Sequence, residues 1–106
     1  MDQEQPESLE EQRARHYEED IAVAIVTYLS ANGGRAAPDM VGEAIFSEMR
    51  GGMVFIYGDV VDDIARKNFH RHWVGAISRL ARSRMLEIHG MVDLALPGWY
   101  RRNKAA

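Results

Sequence analysis

The residues of this 106-residue chain best suited to recognition chemistry lie between Asn68 and Gly90, in NFHRHWVGAISRLARSRMLEIHG. On a wheel turned by about 100° per residue, Arg71, Gly75, Ser78 and Arg82 fall within roughly 20° of one direction. Phe69, Trp73, Ala76, Ile77, Leu80 and Arg84 fall within roughly 50° of the opposite direction. The spacing predicts a helix over 68–84 with an apolar face for the core and a basic face for solvent. Arginine presents a planar fork of donors that grips a phosphate or a guanine edge bidentately. Gly75 and Ser78 are small and would let a surface approach between Arg71 and Arg82. His72 and Arg79 share one flank, where they would reach phosphates as the helix docks.

Other chemistries find little support. Ser30, Ser47, Ser78 and Ser83 sit in no nucleophile motif, and the chain has no cysteine to act as nucleophile, disulfide or thiolate ligand. His70 and His72 are two residues apart on a helix and point to different faces, a poor geometry for one metal. His16 and Asp20 read as an i, i+4 surface pair. Asp59 reads as the cap of a helix whose first turn holds Asp62 and Asp63, where carboxylates suit the helix dipole. The expectation is a protein that is not an enzyme and has no metal site and no cofactor.

The charge pattern agrees with a polyanion partner. The formal net charge is -3, but residues 1–20 carry eight acids and two bases, residues 21–65 six acids and two bases, and residues 66–106 nine bases and two acids. Net charges of -6, -4 and +7 are thus segregated along the chain. Such a basic block is the electrostatic footprint of a nucleic acid or an acidic partner. The competing reading is that the acidic N-terminal segment covers Arg71 and Arg82 and neutralises them within the fold.

The elements that must position this helix follow from local signals. Residues 1–8 read as a flexible acidic tail and 9–104 as a single domain, a size that supports one modest core. Ser8 and Glu11 form a capping-box pattern that starts a helix over 9–31, with Tyr17, Ile21, Ala24, Ile25, Tyr28 and Leu29 as its buried stripe. Val23 and Val26 lie off that stripe, under a loop or as the face of a dimer partner. Asn32 to Gly34 end the helix, Arg35 to Ala37 connect, and Pro38 opens a second helix through Arg50. Met40, Val41, Ala44, Ile45 and Met49 are its core candidates. Met53 to Val61 reads as a short strand with no local partner, as a loop burying its aromatics, or as an apolar patch for a partner. Leu86 to His89 and Met91 to Leu96 read as a hairpin turning at Gly90. Trp99 and Tyr100 then fold back over the core, and Arg101, Arg102 and Lys104 add exposed charge.

Two helices, a basic amphipathic helix and a two-stranded ribbon make a mainly α protein with a small β-hairpin, of the α+β class. In that order, and above all in AISRLARSRMLEIHG from Ala76 to Gly90, the chain resembles a winged helix-turn-helix domain of the bacterial or phage regulator type. It departs from the family pattern where Arg84 replaces the usual glycine and where Gly51 to Val61 lengthens the preceding turn. The resemblance implies a small transcriptional regulator that binds duplex DNA, with Arg71, Ser78, Arg79 and Arg82 in the major groove. His72 and Gly75 would lie on that helix, and the wing, with His89, Arg101 and Arg102, would touch backbone or minor groove. A homodimer through helix 9–31 is compatible with this reading. The alternative is a winged-helix module for protein contact, a subunit of a complex or a phage-type inhibitor, using its acidic half or segment 53–61. The longest apolar run is too short to span a bilayer and no basic signal-peptide start is present, so a cytoplasmic protein without membrane contact is expected.

Overall fold

The computed structural model describes residues 8–90 and 93–103; residues 1–7 of the expected tail over 1–8, strand residues Met91 and Val92, and the charge at Lys104 lie outside them. The first helix, α1 (Leu9–Ala31), begins as the capping pattern requires. Ser8 Oγ accepts the Glu11 N–H at 3.0 Å, and Glu11 Oε1 accepts the Ser8 N–H at 2.9 Å. These bonds, the one from the Ser8 backbone foremost, hold the Glu11 carboxyl below its ordinary range. Tyr17, Ile21, Ile25 and Leu29 are buried as their spacing predicts, but Ala22 is buried while Ala24 and Tyr28 are only half-buried. The buried face is turned because the helix packed on the Ala22 side presses closest against α1.

After α1 the chain makes a two-residue strand, β1 (Arg35–Ala36), where the sequence suggested only a connector. It is followed by α2 (Pro38–Met49), with proline in the first turn, where its missing N–H is no loss. Val41, Ile45 and Phe46 are buried, whereas Met40, a core candidate by sequence, is 62% exposed.

Met53 to Val61 forms no strand. Arg50–Met53 is a 3₁₀ turn that runs into the one-turn helix α3 (Val54–Tyr57), which Gly58 ends. A lone strand would leave its backbone N–H and C=O groups without partners, and helical turns satisfy them within the segment. Met53, 2% exposed, anchors this turn in the core.

The long helix α4 (Asp62–Arg82) starts six residues before the expected 68 and ends two before 84. Its N-cap is Val61, with no side-chain cap bond, so Asp59 is not the cap, while Asp62 and Asp63 do fill the first turn. Next come β2 (Glu87–His89), β3 (Asp93–Ala95) and a terminal turn, α5 (Trp99–Arg102). The strands form an antiparallel sheet in the order β1-β3-β2, with Ile88 and Ala36 both paired to Leu94. One core cluster joins α1, α2, α4 and the sheet through Ile25, Ile45, Trp73 and Leu94. The protein is therefore mainly helical with a small antiparallel sheet.

The end of α4 explains how the chain manages without the expected glycine. Arg84 takes a left-handed φ of 61°, its N–H donates to Ala81 O at 3.1 Å, and the Met85 N–H reaches back to Leu80 O at 2.9 Å. That is the Schellman pair of bonds, made with arginine at the position glycine occupies most easily. A side chain there works against the backbone, so Arg84→Gly is expected to stabilise the protein by about 1 kcal/mol. Thermal unfolding followed by circular dichroism should show a midpoint roughly 5 °C higher.

Candidate nucleic-acid interface

The buried residues of α4 are Ala65, Phe69, His72, Trp73, Ala76 and Leu80. Their mean direction is turned by about 40° from the one the wheel suggested, toward His72 and Gly75. Ile77 is only half-buried and Arg84 is not helical, so neither pulls the core face their way. The cause is α1, which lies over the flank that carries residues 72, 75 and 79.

That placement takes three sequence candidates out of solvent reach or engages them. His72 is buried, its Nε2 2.6 Å from Tyr57 Oη and its ring edge-on to Tyr17 at 5.4 Å. Burial pushes the His72 imidazole below its ordinary pKa of 6.5, the Arg71 charge adds to this and Glu18 opposes it. Tyr17 donates its hydroxyl to Met49 O at 2.9 Å, and burial pushes its phenol up to about 12. Gly75 faces α1 so closely that a Cβ would run into the Glu18 carboxylate. Arg79 reaches across to the same helix, with Nη2 3.0 Å from Glu18 Oε1 and Nη1 3.4 Å from Glu19 Oε2. The acidic helix thus neutralises part of the basic one.

It does not neutralise the rest. Arg71, Ser78 and Arg82 are exposed, as the wheel predicted, and neither arginine has an ion-pair partner among the described residues. Lys67 joins them, one turn before Arg71 on the same face. Sequence reasoning passed over Lys67 because it expected the helix to start at Asn68. Val74, 48% exposed, lies between Arg71 and Ser78 on this surface. Toward the start of α4 the positive charge is used internally: Arg66 forks onto the Glu43 carboxylate at 2.7 and 3.3 Å, and Arg50 meets Asp62 at 2.5 Å. The positive charge on α4 that no ion pair uses among the described residues is therefore that of Lys67, Arg71 and Arg82.

The hairpin is stiffened by its own polar contacts. His89 Nε2 lies 3.1 Å from Glu87 Oε1, and its ring centre is 3.9 Å from that of Tyr100. Glu87 also accepts the Gly98 N–H at 3.0 Å, and that bond, followed by the one to His89, holds its carboxyl below the ordinary range. Tyr100 donates to Asp93 Oδ2 at 2.5 Å, which raises its phenol pKa. His89 is thus tied to its own sheet, and of the hairpin candidates Arg101 and Arg102 remain exposed, Arg102 bonding Pro97 O at 3.1 Å.

No family model, curated protein or solved structure matches this chain.

Function must therefore be argued from the surfaces themselves. Among the described residues no three His, Asp or Glu side chains gather in a group able to hold a metal ion. No helix among them is long and apolar enough to cross a membrane.

Proposed function

We propose that this protein binds duplex DNA, with the exposed face of α4 in the major groove and the β2–β3 hairpin beside it. The observation that carries the reading is the face formed by Lys67, Arg71, Ser78 and Arg82, which stays open while Arg79 is held by α1. A rigid helix with three bases and a hydroxyl on one side matches what phosphate positioning and guanine readout require. The order α1, α2, α4, β2, β3, with β1 joined to β3, supports a winged helix-turn-helix frame for that helix. Arg101 and Arg102 on α5 would then supply backbone contacts from the wing side. The regulatory role that such a frame implies belongs to the same proposal. His72, Gly75 and Arg79 are not part of the proposed contact, because the first is buried and the other two face α1.

The test is fluorescence anisotropy of a labelled random-sequence duplex titrated with the protein over a salt series. Phosphate contacts release counterions, so the affinity should fall steeply with salt on a log-log plot. Arg71→Ala and Arg82→Ala should each weaken binding by about tenfold and flatten the salt slope by about one, with no change in thermal midpoint. Arg79→Ala should leave affinity within about twofold, since its guanidinium is already paired. Equal losses in all three variants would remove the specific assignment of the α4 face. No binding at low salt would leave the protein-contact alternative, for which Val54, Val61 and Ile64 offer exposed apolar surface around the start of α4.

A further inference from the structure

We propose that Val74 sets part of the sequence preference of the α4 face by packing on the 5-methyl group of a thymine, so that the recognised site holds a thymine within about two base pairs of a guanine. This rests on the DNA contact proposed above and assigns a base to it.

Val74 is an apolar side chain set among cations. It is 48% exposed, and on the helical wheel it falls with Lys67, Arg71, Ser78 and Arg82 inside an arc of roughly 80°. Arg71 stands one turn before it and Ser78 one turn after it. Phosphates offer charge and acceptor oxygens, so a face that only gripped the backbone would gain nothing from an apolar group there. The base edges in the major groove offer one apolar mark, the methyl group of thymine. A β-branched side chain suits that contact, because in a helix its χ1 is held near one rotamer and its two methyls are already in place.

The other residues of the face narrow the reading. Asn and Gln are the side chains that read adenine, and Asp and Glu those that accept from cytosine. From Ile64 to Arg82 the helix has no Gln, Asp or Glu, and Asn68 is half-buried and lies outside the arc. Arg71 and Arg82 suit guanine, while a serine such as Ser78 bonds to more than one base. Val74 is therefore the side chain of this face that can tell an A·T pair from a G·C pair, through the thymine. Along the helix axis Arg71 and Val74 are separated by about 4.5 Å, against about 3.4 Å between successive base pairs. A helix lying in the groove thus sets the guanine of Arg71 and the thymine of Val74 within about two base pairs of each other.

The test removes the methyl from each side of the contact in turn. The full chain is used to select its preferred duplex from a random-sequence pool, and each thymine of that duplex is then replaced singly by deoxyuridine, which differs from it only by the methyl group. Anisotropy titrations should show one thymine at which the replacement weakens wild-type binding by about fourfold, the worth of one buried methyl. Val74→Ala, which withdraws both branch methyls from an exposed site, should keep the wild-type thermal midpoint, bind the thymine duplex about fourfold more weakly and no longer distinguish the deoxyuridine duplex at that position. Arg71→Ala and Arg82→Ala should bind more weakly yet still distinguish the two. Wild type that binds with the expected salt slope but selects no preferred duplex, or is indifferent to every replacement, overturns the assignment of Val74 and leaves the DNA reading standing. The same holds for a Val74→Ala variant that keeps the full sensitivity to deoxyuridine, or that loses affinity equally for both duplexes. Absence of salt-dependent binding to any duplex removes the DNA reading and this assignment together.

Discussion

Replacing Gly34 by alanine is expected to cost about 3 kcal/mol of stability, although it adds a single methyl group at a turn. Gly34 has a φ of 89°, where an L side chain is strained. Its N–H closes α1 by donating to Leu29 O at 2.7 Å, and its carbonyl accepts the Leu96 N–H at 2.8 Å just beyond β3. The residue therefore joins the helix end to the sheet and has little freedom to relax. An added Cβ would also fall 2.6 Å from Cδ1 of Trp99, whose Nε1 donates to Gly33 O at 2.7 Å. The strained backbone accounts for roughly 1–2 kcal/mol, and displacing the indole for a comparable amount. For a domain of this size the thermal midpoint should fall by roughly 15 °C. Gly33→Ala provides the contrast, since its φ is 85° but nothing lies within 4 Å of an added Cβ. Its expected cost is the backbone strain alone, about 1 kcal/mol. If the two variants melt together, the Trp99 contact contributes nothing.

The same junction shows why some of the fold was legible in the sequence and some was not. Signals carried within a few residues survived: the Ser8–Glu11 capping box, the run from Tyr17 to Leu29, Pro38 at the start of α2, and the hairpin around Gly90. β1 did not, because Arg35 and Ala36 pair with Ala95 and Leu94, some sixty residues away, and two residues carry no period. The segment at Met53 misled for a related reason. Its β-branched and aromatic content suits a strand, but without a neighbouring strand the backbone closes its own bonds in turns. At the interface, the wheel separated Phe69 and Trp73 from Arg71 and Arg82 because those lie on opposed faces. It could not place His72 and Arg79, which lie on the boundary, and it set Gly75 on the solvent face although α1 packs against it. Which way a boundary residue faces depends on where α1 crosses, and that is a long-range property of the fold.

His72 is the residue for which that crossing matters most, and His72→Ala is expected to cost about 3 kcal/mol. The imidazole is 7% exposed, fills the space between α4, α3 and α1, and shares a hydrogen bond with Tyr57 while its ring meets Tyr17. Truncation opens a cavity beneath α3 and leaves the Tyr57 hydroxyl without its partner. His72→Gln keeps a polar group within the same space and should recover part of the loss. The pH dependence separates a buried, uncharged histidine from one that merely packs. Burial holds the folded-state pKa below the unfolded value of about 6.5, so between the two it is the unfolded chain that binds the extra proton. Stability from this group is complete above pH 6.5 and declines as the pH falls through that value toward the folded pKa. The Glu11, Glu43 and Glu87 carboxyls, held below 4.5, add their own losses only at more acidic pH. The thermal midpoint of the wild type should therefore drop further between pH 7.5 and 5.5 than that of His72→Gln. Parallel curves for the two proteins would mean that His72 gains its proton as readily in the fold as in the unfolded chain, which its burial against Tyr17 and Tyr57 argues against.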